Sequence, residues 1–396
     1  MTMTLRPLHA LGLTAAVLMN PLTVHAQALP PSLFLPEVVL PRADITAPSQ
    51  AAPLSKASSP RDITKLTYSF NGEARTFTNF LSHAKVKSFM VLKNGHIVYE
   101  YHRFPNTRTT RHQSWSIGKQ VLSTMVGIAL KEGAIRSIND RMDQYDSRLA
   151  INGFAGVTFK QALQMSSGVK YDEEADRFAL FFDVIGDFYS FGRSGNTLTE
   201  KALGSGLTTA YAPGSKYQYA SINSEAIKMA LEKAVRMRYQ DYLTTKLWQP
   251  MGMPDTAKVL VDREKTAFTF CCLYATTRDY AMFGQMYAQA GWFNGRQIVP
   301  SDYVRKATTF AGDPSNWHAT DVPRKDGSAI RGFGYHWWPL EGEREDFTAA
   351  GVYGQSIHVL PKQNTVVVRL SNDHDNVEGS AHEAVIVGRA IADYLD

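Results

Sequence analysis

The sequence predicts an α+β fold: an antiparallel sheet built from both chain ends, flanking helices, and a largely helical inserted region. Three observations lead there. A hairpin pattern occupies residues 85–103, strand patterns return over 329–372, and helical periodicity with long polar loops fills the stretch between. Strands at both ends of a chain with helices between them assemble most simply as one sheet.

The hairpin reads KVKSFMVLKNGHIVYEYHR, with alternating apolar residues on either side of Asn94-Gly95. That dipeptide tolerates the positive φ angles of a tight two-residue turn. Residues 115–132 follow as a helix that Ser114 is placed to cap. Its body, VLSTMVGIAL, is apolar on nearly every side and is expected to run through the core. NSEAIKMALEKAV (223–235) and RDYAMFGQMYAQAG (278–291) are the clearest later helices. AIRGFGYHWWPL (329–340), FTAAGVYGQSIHVLP (347–361) and NTVVVRLSN (364–372) read as strands, and EGSAHEAVIVGRAIADYL as a closing helix.

Before the hairpin the chain reads differently. Residues 1–26 have the form of a secretion signal: Arg6, an apolar stretch from Leu11 to Met19, and small residues at Ala26 or Ala28 for cleavage. The stretch is short for a bilayer span and is broken by Pro21. A periplasmic or secreted protein without stable membrane insertion is therefore expected. Residues 27–64, with prolines at 30, 31, 36, 41, 48, 53 and 60, read as an extended or disordered linker. The folded domain is expected over 65–396, its sheet half being 65–134 with 325–396 and its helical half 135–324. A net charge of +5 without a dense Lys/Arg block gives no argument for a nucleic-acid partner. The two cysteines, Cys271 and Cys272, are adjacent. Adjacent cysteines rarely pair, so two buried thiols are expected.

Three Ser-x-x-Lys strings compete as a nucleophile and base: Ser82 with Lys85, Ser116 with Lys119, and Ser167 with Lys170. Ser82 precedes the hairpin and Ser167 stands beside the helix-breaking Gly168, so both read as surface or turn residues. Ser116 and Lys119 lie one turn apart at the start of a core helix. A desolvated lysine gives up its charge more readily and can take a proton from a serine hydroxyl. The free N–H groups of a helix start favour developing negative charge. Downstream, Tyr219 precedes a helix, with Ser221 and Asn223 close behind. A phenol beside an ammonium can shuttle protons. Gly351 and Gly354 inside a strand mark a close approach and a possible second oxyanion N–H.

Ser116-Ile117-Gly118-Lys119, Tyr219-Ala220-Ser221 and Ala349-Ala350-Gly351, in that order, resemble the three motifs of penicillin-recognising, β-lactamase-like serine hydrolases. The pattern is most similar to the class C β-lactamase, esterase and 6-aminohexanoate-dimer hydrolase branch. LQMSSGV, LWQPMGM, CCLYATTRDYAMFGQ and GVYGQSIHV extend the resemblance over roughly residues 65–396. It implies a β-lactamase/transpeptidase-like fold and an acyl-enzyme on Ser116, with Lys119 or Tyr219 as first base. It also implies an oxyanion site from the N–H groups of Ser116 and Val352. Ser221, Asn223, Gly351, Tyr353, Phe270 and Tyr171 are the implied substrate-binding residues, and the substrate is a small ester or amide.

The third motif ordinarily opens with a lysine or histidine that holds a substrate carboxylate; here Ala349 and Ala350 stand instead. That favours esterase and amide hydrolase chemistry over a β-lactamase or D-Ala-D-Ala carboxypeptidase. A non-catalytic penicillin-binding-like module is the alternative from another class, opposed by the retained Ser116, Lys119 and Tyr219. No cofactor or metal is called for. Asp373, His374, Asp375 and His382 lack a recognised ligand spacing.

Overall fold

The computed structural model of the chain describes residues 41–310, 332–373 and 377–396. The expected signal and the first part of the expected linker, 27–40, lie outside the described residues, as do 329–331, His374 and Asp375. In chain order the strands are β1 (Arg42–Ile45), β2 (Thr67–Phe70), β3 (Glu73–Thr76), β4 (Val86–Lys93), β5 (His96–His102), β6 (His112–Gln113), β7 (Ala257–Leu260), β8 (Leu273–Ala275), β9 (Trp292–Phe293), β10 (Arg296–Gln297), β11 (Trp338–Pro339), β12 (Phe347–Gly351), β13 (Gln355–Leu360) and β14 (Thr365–Ser371).

The main sheet has the order β11-β12-β13-β14-β4-β5 and is antiparallel throughout. Its strands come from 86–102 and 338–371, so the two ends of the folded chain meet at the β14–β4 pairing, where Val368 stands opposite Met90. Both faces are covered, which explains the near-continuous apolar runs FMVL and TVVV. Met90, Leu92, Val366 and Val368 point into the larger core. Phe89, Val91 and Val367 point into a second core with Phe77, Phe80, Val387 and Ile391. The Thr277–Ala288 helix covers the first face, and Gly284 lets it sit close: a Cβ there would fall 2.6 Å from Val366 and 2.8 Å from Ile357. The closing helix, Val377–Leu395, packs against β13 and β14 and against β2.

A second sheet, β1-β7-β8-β6, joins two short strands of the largely helical inserted region, β7 and β8, to β1 and β6 from the chain before it. It corrects one expectation. The supposed linker is not free of structure. β1 pairs with β7 from Arg42↔Leu260 to Ile45↔Ala257, Ile45 is fully buried, and the Ala52 amide donates to the Gly252 carbonyl at 2.8 Å. Further along, Ala57 N–H donates to Ile97 O at 2.9 Å and so reaches β5. A four-residue strand whose partner lies more than 200 residues away leaves no local periodicity to read.

Three smaller expectations also change. In the described part of the expected 329–340 strand, 332–340, only Trp338–Pro339 is a strand, because His336 takes a left-handed φ of 67° and breaks the run. Cys271 and Cys272 are joined as a disulfide, with Cys272 at φ 73°, rather than held as two thiols. The helix after Ser114 starts as a short 3₁₀ turn, Trp115–Ile117, before the α-helix Gly118–Lys131. That helix does run through the core, with residues 118–129 all buried. No helix among the described residues is long and apolar enough to cross a membrane.

Candidate active site

Ser116 sits where three elements converge. β6 leads into it and pairs with β8 through His112↔Ala275 and Gln113↔Tyr274; the Ser114 amide continues that contact to Leu273 O at 2.7 Å. This lays the Thr269–Cys272 segment alongside the start of the Gly118–Lys131 helix. Gly118 is required for the approach, since a Cβ there would lie 3.1 Å from Cys271 O and 3.2 Å from Thr269 O. Ser114 does not cap the helix: its hydroxyl donates to Trp115 O at 2.9 Å and accepts from the Leu273 amide at 3.2 Å. Trp115 has φ 46°, a left-handed conformation that is unfavourable for a non-glycine residue. The strained turn thus falls on the residue before Ser116.

Lys119 is 1% exposed. Its ammonium donates to the Ser116 hydroxyl at 3.2 Å and to the Phe270 carbonyl at 3.0 Å. The Tyr219 ring centroid lies 5.0 Å from Nζ and that of Phe270 5.8 Å away, so aromatic faces replace water around the charge. Tyr219 is held by the 163–169 loop: Gln218 N–H donates to Met165 O at 2.7 Å and the Ala220 amide meets Met165 Sδ at 3.4 Å. Its ring stacks on Trp338 at 6.1 Å, and Phe333 meets both rings edge-on. His336, between Phe333 and Trp338 in sequence, is fully buried. Burial and then the Lys119 charge hold its imidazole neutral, well below the usual histidine range.

The end of β12 closes the other side. A Cβ on Gly351 would lie 3.2 Å from the Ser116 amide nitrogen and 2.8 Å from Ser114 O. The following turn, Val352 to Gly354, has positive φ at Tyr353 and Gly354, and the Tyr353 ring packs edge-on to Trp115 at 5.0 Å. Gln355 pins this turn by donating to Val352 O (3.2 Å), Tyr353 O (3.1 Å) and Ser371 O (3.0 Å). Buried Arg369 adds a bond to Gly354 O at 2.9 Å. Such an arrangement can hold backbone N–H groups still, which is what an oxyanion site requires.

The structure thus brings Lys119 to the Ser116 hydroxyl, Tyr219 and Phe270 to Lys119, and Gly351 and Tyr353 to the turn that carries Ser116. It treats Ser221 and Asn223 differently. Ser221 is 1% exposed; its hydroxyl and amide donate to the two oxygens of Glu173, at 2.6 and 2.8 Å. Asn223 is fully buried, with its amide on Met165 Sδ at 3.4 Å. Ser221 stands at the N-cap and Asn223 in the buried first turn of the Ile222–Val235 helix, so the side-chain hydrogen bonds of both run to protein partners. Tyr171 is likewise buried, at 5% exposed. Ser82 is exposed on a helix, and Ser167, expected on a surface or turn, is 2% exposed. No cluster of three metal-ligating side chains occurs among the described residues.

This geometry agrees with comparisons to known proteins. The sequence profile of the family described as Beta-lactamase matches residues 75–390. The chain belongs to the Beta-lactamase family. It is 26% identical over 300 residues to the 6-aminohexanoate-dimer hydrolase of Paenarthrobacter ureafaciens, covering 72% of each chain. Among solved structures it is similar to a Bacillus anthracis protein provisionally named 6-aminohexanoate-dimer hydrolase: TM-score 0.75, 21% identity, 90% of this chain and 92% of that one. It is also similar to a family VIII carboxylesterase: TM-score 0.58, 16% identity, 79% and 95% covered. At these identities the structural matches speak for the β-lactamase/transpeptidase-like α+β fold.

Within this Beta-lactamase-family hydrolase fold, three residues beside these groups escaped sequence reasoning. Gln355, Trp338 and His336 lie in quoted segments, but only the fold brings them there.

Proposed function

We propose that the protein is a serine hydrolase that cleaves a small ester or amide through an acyl-enzyme on Ser116. The observation that carries this is the 3.2 Å approach of buried Lys119 Nζ to the Oγ of half-buried Ser116. Ser116 Oγ attacks the substrate carbonyl and gives its hydroxyl proton to Lys119 or Tyr219 as base. The carbonyl oxygen becomes an oxyanion held by the N–H groups of Ser116 and Val352. Tyr219 passes that proton to the leaving alcohol or amine, so the base is restored before water enters. Water then attacks the acyl group by the same route and frees Ser116. Both cysteines are oxidised and the leader-like sequence precedes the fold, so export to the periplasm or medium accompanies this reading.

Ser116→Ala is expected to lower p-nitrophenyl butyrate hydrolysis by several powers of ten with an unchanged melting temperature. A fluorophosphonate probe should label Ser116 in the parent protein and nothing in the variant. Full residual turnover, or labelling elsewhere with Ser116 untouched, would exclude the assignment.

A further inference from the structure

The acceptor that steers Lys119, the Phe270 carbonyl, belongs to an irregular loop, and that loop hangs on a buried ion pair. Glu225 and Lys228, on the Ile222–Val235 helix that follows Tyr219, are 0% and 1% exposed and face each other as an ion pair. Glu225 Oε1 accepts from the Thr269 amide at 3.1 Å and from the Thr269 hydroxyl at 2.9 Å. Lys228 Nζ donates to Ala267 O at 2.9 Å. The next peptide after Thr269 presents the Phe270 carbonyl to Lys119 at 3.0 Å.

We propose that Glu225, paired with Lys228, is a positioning residue for Lys119, acting through Thr269 and the Phe270 carbonyl. The inference rests on the hydrolase reading above. Stability alone does not account for such a pair, because apolar residues of similar volume usually serve a buried site as well or better. An acceptor and a donor on one helix turn do match the backbone N–H of Thr269 and the C=O of Ala267, which need partners inside the protein. Being neutral overall, the pair anchors the loop without adding net charge beside Lys119. Backbone-to-backbone packing at Gly118 means that a shift of the loop is felt at the start of the helix that bears Lys119.

The test compares the parent chain with Glu225→Leu/Lys228→Met, Glu225→Gln/Lys228→Gln and Thr269→Val, using p-nitrophenyl butyrate from pH 5 to 10. The apolar pair is expected to fold and to lower kcat by about 30-fold or more. KM should stay within about threefold, and the acid limb of the kcat profile should move. The glutamine pair restores an acceptor and a donor without charge and should recover most of kcat. Thr269→Val removes the hydroxyl that donates to Glu225 at 2.9 Å and to Ser224 O at 3.2 Å, leaves the Thr269 amide on Glu225, and should cost about three- to tenfold in kcat; it also decides the matter if the apolar pair does not fold. A folded apolar pair, or Thr269→Val, with parental kcat and an unmoved pH profile would overturn the proposal. A parent chain that neither turns over the ester nor takes up a fluorophosphonate would overturn the hydrolase reading, and the positioning role with it.

Discussion

Gly351 lies against the backbone of Ser116 so closely that a methyl group on its Cα would stand 3.2 Å from the Ser116 nitrogen and 2.8 Å from the Ser114 oxygen. Backbone atoms cannot yield as a flexible side chain can, so Gly351→Ala must push β12 away from the nucleophile. Because Val352 follows directly, the N–H proposed as the second oxyanion donor moves with it. The expected result is a fall in kcat of about 10²- to 10³-fold, the usual cost of one oxyanion donor. Overpacking should cost about 1–3 kcal/mol of stability. Ester kinetics and a melting curve on one preparation check both parts, and parental kcat would remove β12 from the site.

Esters should be better substrates than β-lactams. The strand position that carries a carboxylate-holding cation in related enzymes is Ala349, which is fully buried in the core. A substrate carboxylate forfeits a charge-assisted hydrogen bond there, about 1.5–3 kcal/mol or one to two powers of ten in binding. A neutral ester loses nothing. The ratio of kcat/KM for p-nitrophenyl butyrate to that for nitrocefin measures this, and nitrocefin turnover at or above ester turnover would restore the β-lactamase alternative.

The segment before the hairpin should matter to stability. A chain beginning at Ser58 lacks β1, and with it the burial of Ile45, about 1.5–3 kcal/mol for an isoleucine side chain. It also loses the Lys258–Asp44 ion pair and the Ala52–Gly252 bond. A chain beginning at Pro41 keeps all three. The Ser58 chain is expected to melt several degrees lower or to be recovered insoluble, and equal melting temperatures would show that β1 adds nothing.

Glu100 should report on acid stability. Burial alone would raise its carboxyl, but hydrogen bonds from His102 and a bidentate pair from Arg278, with their charges, bring it down to about 2. Its folded value lies below the ordinary 4.5, so its contribution is complete above that pH and is lost as pH falls toward 2. Glu100→Gln should cost about 1.5–3 kcal/mol at pH 7. The variant should also show a shallower decline between pH 4.5 and 2 in urea unfolding. Parallel declines for both proteins would mean the Glu100–Arg278 pair is not what titrates.

Local chemistry alone determined a good deal of this protein. Asn94-Gly95 forced the hairpin, because few dipeptides accept two positive φ values. The unbroken apolar run after Lys119 could only be a core helix, and the ordered motifs at 116, 219 and 349 identified the family. What the tertiary structure decided is whatever depends on partners distant in sequence. Ser221 and Asn223 stood out through the family resemblance, and only the fold shows that their hydrogen bonds run to Glu173, at the start of the Glu173–Tyr189 helix, and to Met165. β1 was hidden because a four-residue strand acquires its meaning only from β7. The Cys271–Cys272 bond needs a left-handed Cys272 that no composition reveals. The link from Glu225 through Thr269 and Phe270 to Lys119 joins residues from three separate segments, and only packing brings those segments into contact.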